Sequence, residues 1–164
     1  MSGIFPVAQL GAGQLSLVIR PEPHRVPETV SGWVTHGITS VISMLEHEEA
    51  CELGLLDEEA VCLERGLSFT SFPIPDFTVP DDMSRCRTLA ETLAQSARQG
   101  DHLAFHCRGT IGRSPMMLAS LLVIDNREPG AIWSMIRNAR GVEVPDTREQ
   151  EDWLYRFADQ LKTS

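Results

Sequence analysis

The sequence predicts an α/β fold: a mainly parallel central sheet flanked by helices on both faces. Three observations predict it. Short apolar runs alternate with helical ones along most of the chain. The runs Leu67 to Phe72 and His102 to His106 flank one long amphipathic stretch, the pattern of a parallel crossover. The stretch after His106 is glycine-containing and opens a further helix, as ligand loops do at the carboxyl ends of parallel strands.

Each element follows from local chemistry. Residues 1 to 13 hold Gly3, Pro6, Gly11 and Gly13 and are expected to be irregular. Gln14 to Arg20 reads as a strand, with Leu15, Leu17 and Ile19 alternating on one face. Pro21, Pro23 and Pro27 break it, and Val26 to His36 reads as a helix stopped by Gly37. Ile38 to Met44 is a second strand, centred on Val41 and Ile42. Glu46 to Leu53 and Asp57 to Arg65 are short helices, with Asp57 as an N-cap and Gly66 as a stop. Leu67 to Phe72 is the third strand.

Ser84 to Gln99 is the clearest helix. Cys86, Leu89, Ala90, Leu93, Ala94 and Ala97 form one stripe along it, and Gly100 ends it. His102 to His106 is the fourth strand and Pro115 to Ile124 the helix after the loop. Gly130 to Arg140 and Arg148 to Leu161 complete the chain as helices. Trp33, Trp133 and Trp153 fall on predicted helices as packing residues.

Bulk properties narrow the function. The 164 residues suffice for one compact domain, 1–164, with a real core. Apolar residues make up 42%, ordinary for a globular chain. A net charge of −9 opposes nucleic acid and anionic membrane, and no basic run is present to receive a polyphosphoinositide. Cys51, Cys62, Cys86 and Cys107 show neither zinc spacing nor a Cys-x-x-Cys pair. Without a signal peptide or a long apolar span, the chain is expected to be reduced and cytoplasmic. Oligomeric state is not encoded legibly.

The chemistry concentrates in His106-Cys107-Arg108-Gly109-Thr110-Ile111-Gly112-Arg113-Ser114. A cysteine ends a strand and an arginine opens a helix. Two glycines among the five residues between them let the loop curl, with its N–H groups turned inward. The helix N-terminus adds positive charge on the same side, and Pro115 suits its first turn. N–H groups from Arg108, Gly109, Thr110, Ile111, Gly112 and Arg113 match the oxygens of a phosphoryl group. Arg113 adds a planar fork that lysine does not reproduce. The same field favours the thiolate, the nucleophilic form of cysteine. A thiolate beneath phosphorus is placed to form a phosphocysteine. Ser114 can donate to the sulfur and help it leave.

Such a reaction needs an acid for the departing oxygen, worth roughly 10²–10⁴ in rate. Asp76 stands in a proline-punctuated loop, Phe72 to Asp82, directly after the third strand. Asp81 and Asp82 are the nearest rivals, and capping the next helix accounts for them.

These residues resemble the signature of cysteine-based protein tyrosine and dual-specificity phosphatases. The Pro73-Ile74-Pro75-Asp76 run is similar to the acid loop of the branch of the cyclin-dependent kinase inhibitor-associated phosphatase. The resemblance runs from about Gly37 to the C-terminus. It implies a phosphotyrosine protein phosphatase-like fold. Cys107 is then the nucleophile, Asp76 the general acid and then base, and Arg113 the phosphate clamp. By the same resemblance residues 108–112 form the phosphate loop, His106 supports the cysteine and Ser114 assists breakdown of the intermediate. No metal or organic cofactor is implied. The substrate class is a phosphorylated protein or peptide, phosphotyrosine favoured and dual specificity open.

One departure stands out. The family carries Gln-Thr-x-x-Gln near the end of the domain, where glutamine positions water. Here the segment is Asp146-Thr147-Arg148-Glu149-Gln150. Gln150 remains, but it also completes a capping box with Thr147.

Other readings have definite tests. The same chemistry on a small phosphorylated metabolite, a non-catalytic phosphoprotein-binding module and redox chemistry at Cys107 with Cys86 are the alternatives. His102 and His106 share a strand face with Cys107 nearby, but carboxylate support for a metal is missing. Glu46, Glu48, Glu49, Glu52, Asp57, Glu58 and Glu59 read as an acidic solvated face.

Overall fold

The computed structural model describes residues 3–163. Five strands form one sheet in the order β1-β2-β5-β3-β4. They are β1 (Ile4–Leu10), β2 (Gly13–Val18), β3 (Ser40–Ser43), β4 (Ser68–Ser71) and β5 (His102–His106). β2, β5, β3 and β4 run parallel, and β1 pairs antiparallel with β2 at one edge. The helices are α1 (Val26–Thr35), α2 (His47–Glu52), α3 (Glu58–Glu64), α4 (Met83–Arg98), α5 (Arg113–Ile124), α6 (Pro129–Arg140) and α7 (Arg148–Thr163).

The α/β expectation holds, and its reason is visible in the central strand. In β5, Leu103 and Phe105 enter the core shared with α4 to α7, whereas Ala104 enters the core under α1 and α3. Alternate residues thus serve two apolar layers, which requires helices on both faces. All three tryptophans are buried, Trp33 in the smaller core and Trp133 and Trp153 in the larger.

The N-terminal expectation fails. Residues 4–10 form β1 rather than irregular chain, while Met1 and Ser2 lie outside the described residues. Pro6 misleads because β1 is an edge strand whose register shifts between Pro6 and Ala8, the setting in which a strand tolerates proline. Gly11, with φ of 59°, turns the chain back into β2. Ile19 lies beyond β2 and is exposed, so the predicted three-residue stripe stops at Leu17. Asp57 stands at the N-cap position of α3 without a side-chain capping bond. Asp82 does cap α4, accepting from the Arg85 N–H at 3.1 Å.

Candidate active site

β5 ends at His106, and the chain then curls through residues 107–112 before α5 begins at Arg113. The curl is achieved differently from the expectation. The left-handed residue is Thr110, with φ of 54°, and neither Gly109 nor Gly112 has positive φ. Thr110 is held there by burial and by its hydroxyl, which donates to the Val18 carbonyl at 2.8 Å. Gly112 is small for another reason. A Cβ added to it would lie 2.5 Å from Asp146 Oδ2 and 2.8 and 2.9 Å from the Gln150 amide oxygen and nitrogen.

Two outer arginines fix the loop's orientation. Arg20 Nε donates to the Arg108 carbonyl at 3.0 Å. Arg140 donates to the carbonyls of Thr110 at 3.1 Å and Gly109 at 3.3 Å. A peptide whose carbonyl is pulled outward turns the following N–H inward. The loop therefore presents N–H groups to its own centre, an anion nest next to the α5 N-terminus. Cys107 lies at its base, 2% exposed, and accepts a hydrogen bond from Ser114 Oγ at 3.3 Å.

Arg113 is buried, yet its outer nitrogens are already engaged. Nη1 and Nη2 donate to Glu49 Oε1 and Oε2 at 2.7 and 2.9 Å, and Nη1 also donates to the Ile74 carbonyl at 2.9 Å. Asp76 Oδ1 lies 3.1 Å from Nη2. The buried Nε–H has no hydrogen-bond partner. A buried donor left unmet costs about 1–3 kcal/mol, so this atom marks where an acceptor belongs. The fork expected to face phosphate thus faces Glu49, and the remaining prongs are Nε–H and the Nη2–H beside Asp76.

Glu49 and Glu58 correct the expectation of a solvated acidic face. Burial pushes the Glu49 carboxyl up, but bonds from Arg113 and the Glu46 N–H, with the charges of Arg113 and Arg108, bring it below its ordinary value. Its ionised clamp is therefore complete above the usual carboxylate range and fails only as pH falls through that lowered value. Glu58 is buried, and His106 Nε2 donates to its Oε2 at 2.7 Å. The ring's Nδ1 lies 3.3 Å from the Cys107 carbonyl and its face tilts against Trp33. Glu58→Ala should therefore strand His106 and destabilise the chain by about 3–5 kcal/mol, read by chemical denaturation. A loss below 1 kcal/mol would show that the pair carries no structural weight. Glu58 had a legible signal, since it is one helical turn from buried Val61 and Cys62. Glu49 had none, because no residue of α2 is fully buried.

The other predicted residues fall as follows. Asp76 is brought to the loop by the segment after β4, and its Oδ1 accepts from the Phe77 N–H at 3.0 Å. Gln150 is fully buried and forms the predicted capping box with Thr147. Its Nε2 also donates to the Thr78 carbonyl at 3.0 Å, tying α7 to the loop that carries Asp76. Cys86 points its sulfur at Met117 Sδ, 3.8 Å away, and burial pushes its thiol up to about 12. His102 Nε2 lies 2.7 Å from Ser16 Oγ instead of joining His106. Among the described residues no cluster of His, Cys, Asp and Glu could hold a metal ion. No helix there is long and apolar enough to cross a membrane.

No family model matches the chain. Cyclin-dependent kinase inhibitor 3 of Rattus norvegicus is 33% identical over 91 residues, 54% of this chain and 42% of that protein. The Homo sapiens protein of the same name is 31% identical over 109 residues, 65% of this chain and 50% of that one. The chain thus spans about half the length of the curated relatives it matches. A crystal structure of kinase associated phosphatase, bearing serine for its catalytic-site cysteine, superposes with a TM-score of 0.87. That alignment covers 98% of this chain and 96% of that one at 21% identity. Over part of its length the chain is similar to cyclin-dependent kinase inhibitor 3, and its fold is that of kinase associated phosphatase. The fold agrees along nearly the whole chain, while the sequence match to those relatives covers only part of it.

Proposed function

We propose that this chain hydrolyses phosphomonoesters on phosphoproteins, phosphotyrosine favoured, through a phosphocysteine at Cys107, with residues 1–164 acting as one phosphatase domain. The observation that carries it is the buried Cys107 thiol in a loop whose carbonyls are bonded by Arg20 and Arg140, beside an Arg113 Nε–H with no acceptor among the described residues.

A substrate phosphoryl group fills the nest formed by residues 108–113. Its oxygens take the Nε–H of Arg113 and the Nη2–H that now faces Asp76, completing a second fork on the same guanidinium. Glu49 keeps the opposite edge fixed, so the clamp is preorganised. Displaced from Arg113, Asp76 is released to meet the leaving oxygen and give it a proton. Cys107 Sγ attacks phosphorus, the ester P–O bond breaks, and Asp76 protonates the departing oxygen. Water then attacks the phosphocysteine and gives up a proton to a carboxylate over the loop, the P–S bond breaks and Ser114 Oγ–H supports the returning thiolate.

Inorganic phosphate release from matched phosphotyrosine and phosphothreonine peptides tests this proposal. Release is expected from the phosphotyrosine peptide at the higher kcat/KM. Silence on both, with a small phosphorylated metabolite turned over instead, would move the substrate class. Silence on all three would refute hydrolysis. Arg113→Lys keeps the charge but loses the fork to Glu49 and to phosphate. It should lower kcat/KM about 10²–10³-fold, the scale for loss of a transition-state donor. A change of less than threefold would mean that the guanidinium does not hold the phosphoryl group.

A further inference from the structure

We propose that Asp146 is a second catalytic carboxyl of this site, one that takes a proton from the water attacking the phosphocysteine. The inference rests on the phosphatase reading and adds a residue to its second step.

Asp146 is carried over the phosphate loop by the segment between α6 and α7, and its Oδ2 overhangs Gly112 closely enough to exclude a methyl group there. Gln150 shares that position, but both ends of its amide are already engaged within the protein. Its oxygen accepts from the Thr147 N–H and its nitrogen donates to the Thr78 carbonyl. Among the described residues no hydrogen bond or ion pair holds the Asp146 carboxyl. Its oxygens are thus free to accept from a water over the loop.

The charges that act on Asp146 come from two sides, Asp76 in the loop after β4 and Arg113 at the start of α5. Partial burial raises its pKa, the Asp76 charge raises it further and Arg113 opposes both. A carboxylate with raised proton affinity is a stronger base than an ordinary aspartate. Asp76 is differently placed, since it pairs with Arg113 Nη2 and accepts from the Phe77 N–H. The two carboxyls therefore differ in partners over one loop: Asp76 is engaged by Arg113 and the Phe77 N–H, and Asp146 is open to a water.

The step balances. Water oxygen bonds to phosphorus, the P–S bond breaks and its electron pair returns to Cys107 Sγ. One water proton passes to Asp146, which is exposed and returns it to solvent. Asp76 has given its proton to the leaving group in the first step and recovers one from the bulk. Asp146 thus supplies through a carboxylate what an amide at this position supplies only by orientation.

Rapid-quench kinetics with 4-nitrophenyl phosphate test the proposal, using wild type, Asp146→Asn and Asp146→Glu. For Asp146→Asn the expected result is a burst of one nitrophenol per enzyme and then a slow steady state. Its kcat should fall roughly 10- to 100-fold, below the full range for a lost base because Asp76 remains. Its kcat/KM, which reports the first step with this acidic leaving group, should stay within about threefold of wild type. Asp146→Glu should recover most of the lost kcat. A burst-free Asp146→Asn enzyme with unchanged kcat would overturn the inference alone. So would an equal fall in kcat and kcat/KM, or failure of glutamate to rescue. A wild type silent on the aryl phosphate would overturn the phosphatase reading and this inference with it.

Discussion

Replacing Cys107 with serine is expected to lower phosphate release to the buffer blank while leaving phosphate bound in the loop. The two effects separate because different atoms carry them. Binding rests on the backbone N–H groups and on Arg113, none of which needs the sulfur. The orientation of those N–H groups is set from outside, by Arg20, Arg140 and the Thr110 hydroxyl. Attack rests on a thiolate, and a serine hydroxyl in the same place stays protonated and weakly nucleophilic. The Ser114 hydroxyl can donate to the new oxygen as it does to sulfur, so the loop should keep its shape. Calorimetric titration with a phosphotyrosine peptide beside a phosphate-release assay checks both halves. Turnover near the wild-type rate would refute Cys107 as nucleophile. Loss of binding along with turnover would point to collapse of the loop.

The second large effect is expected at Asp76. Asp76→Asn should lower kcat about 10²–10⁴-fold on phenyl or alkyl phosphates, whose leaving oxygens need a proton. On 4-nitrophenyl phosphate the loss should be much smaller, because that oxygen departs readily as an anion. The dependence on leaving group is the decisive readout, since a damaged loop would slow all esters alike. Asparagine keeps the size of the side chain and can still accept from the Phe77 N–H. It removes the charge that faces Arg113 Nη2 in the free enzyme. The variant should therefore bind phosphate at least as tightly as wild type, because the anion no longer displaces a carboxylate.

Most of the fold was legible because its signals were local. β5 ends in the cysteine loop as its pattern required, and α4 carries its stripe inward through Cys86, Ala90, Leu93, Ala94 and Ala97. β1 was illegible because Pro6 and its flanking glycines look like loop punctuation, and only pairing with β2 turns them into an edge strand. Cys107, Arg113 and Ser114 were readable as a group from spacing, since loop geometry ties them together within a few residues. Their supports were not. Glu49, Arg20 and Arg140 reach the loop from separate elements, and nothing in their own neighbourhoods marks them. Glu58 hid inside a charge run although its helical phase pointed inward. Gly112 shows how a residue can be read correctly for the wrong reason. Its freedom of φ is unused, and what matters is the room it leaves for Asp146 and Gln150.

The most direct test of phosphoryl transfer through sulfur is to find the phosphoryl group. Wild-type enzyme mixed with 4-nitrophenyl phosphate, quenched within milliseconds and digested, should yield one phosphorylated peptide, with the modification on Cys107. The same peptide from Cys107→Ser should be unmodified. A phosphoryl group on His106 or a carboxylate would contradict the mechanism, as would product formed with no labelled peptide at any quench time.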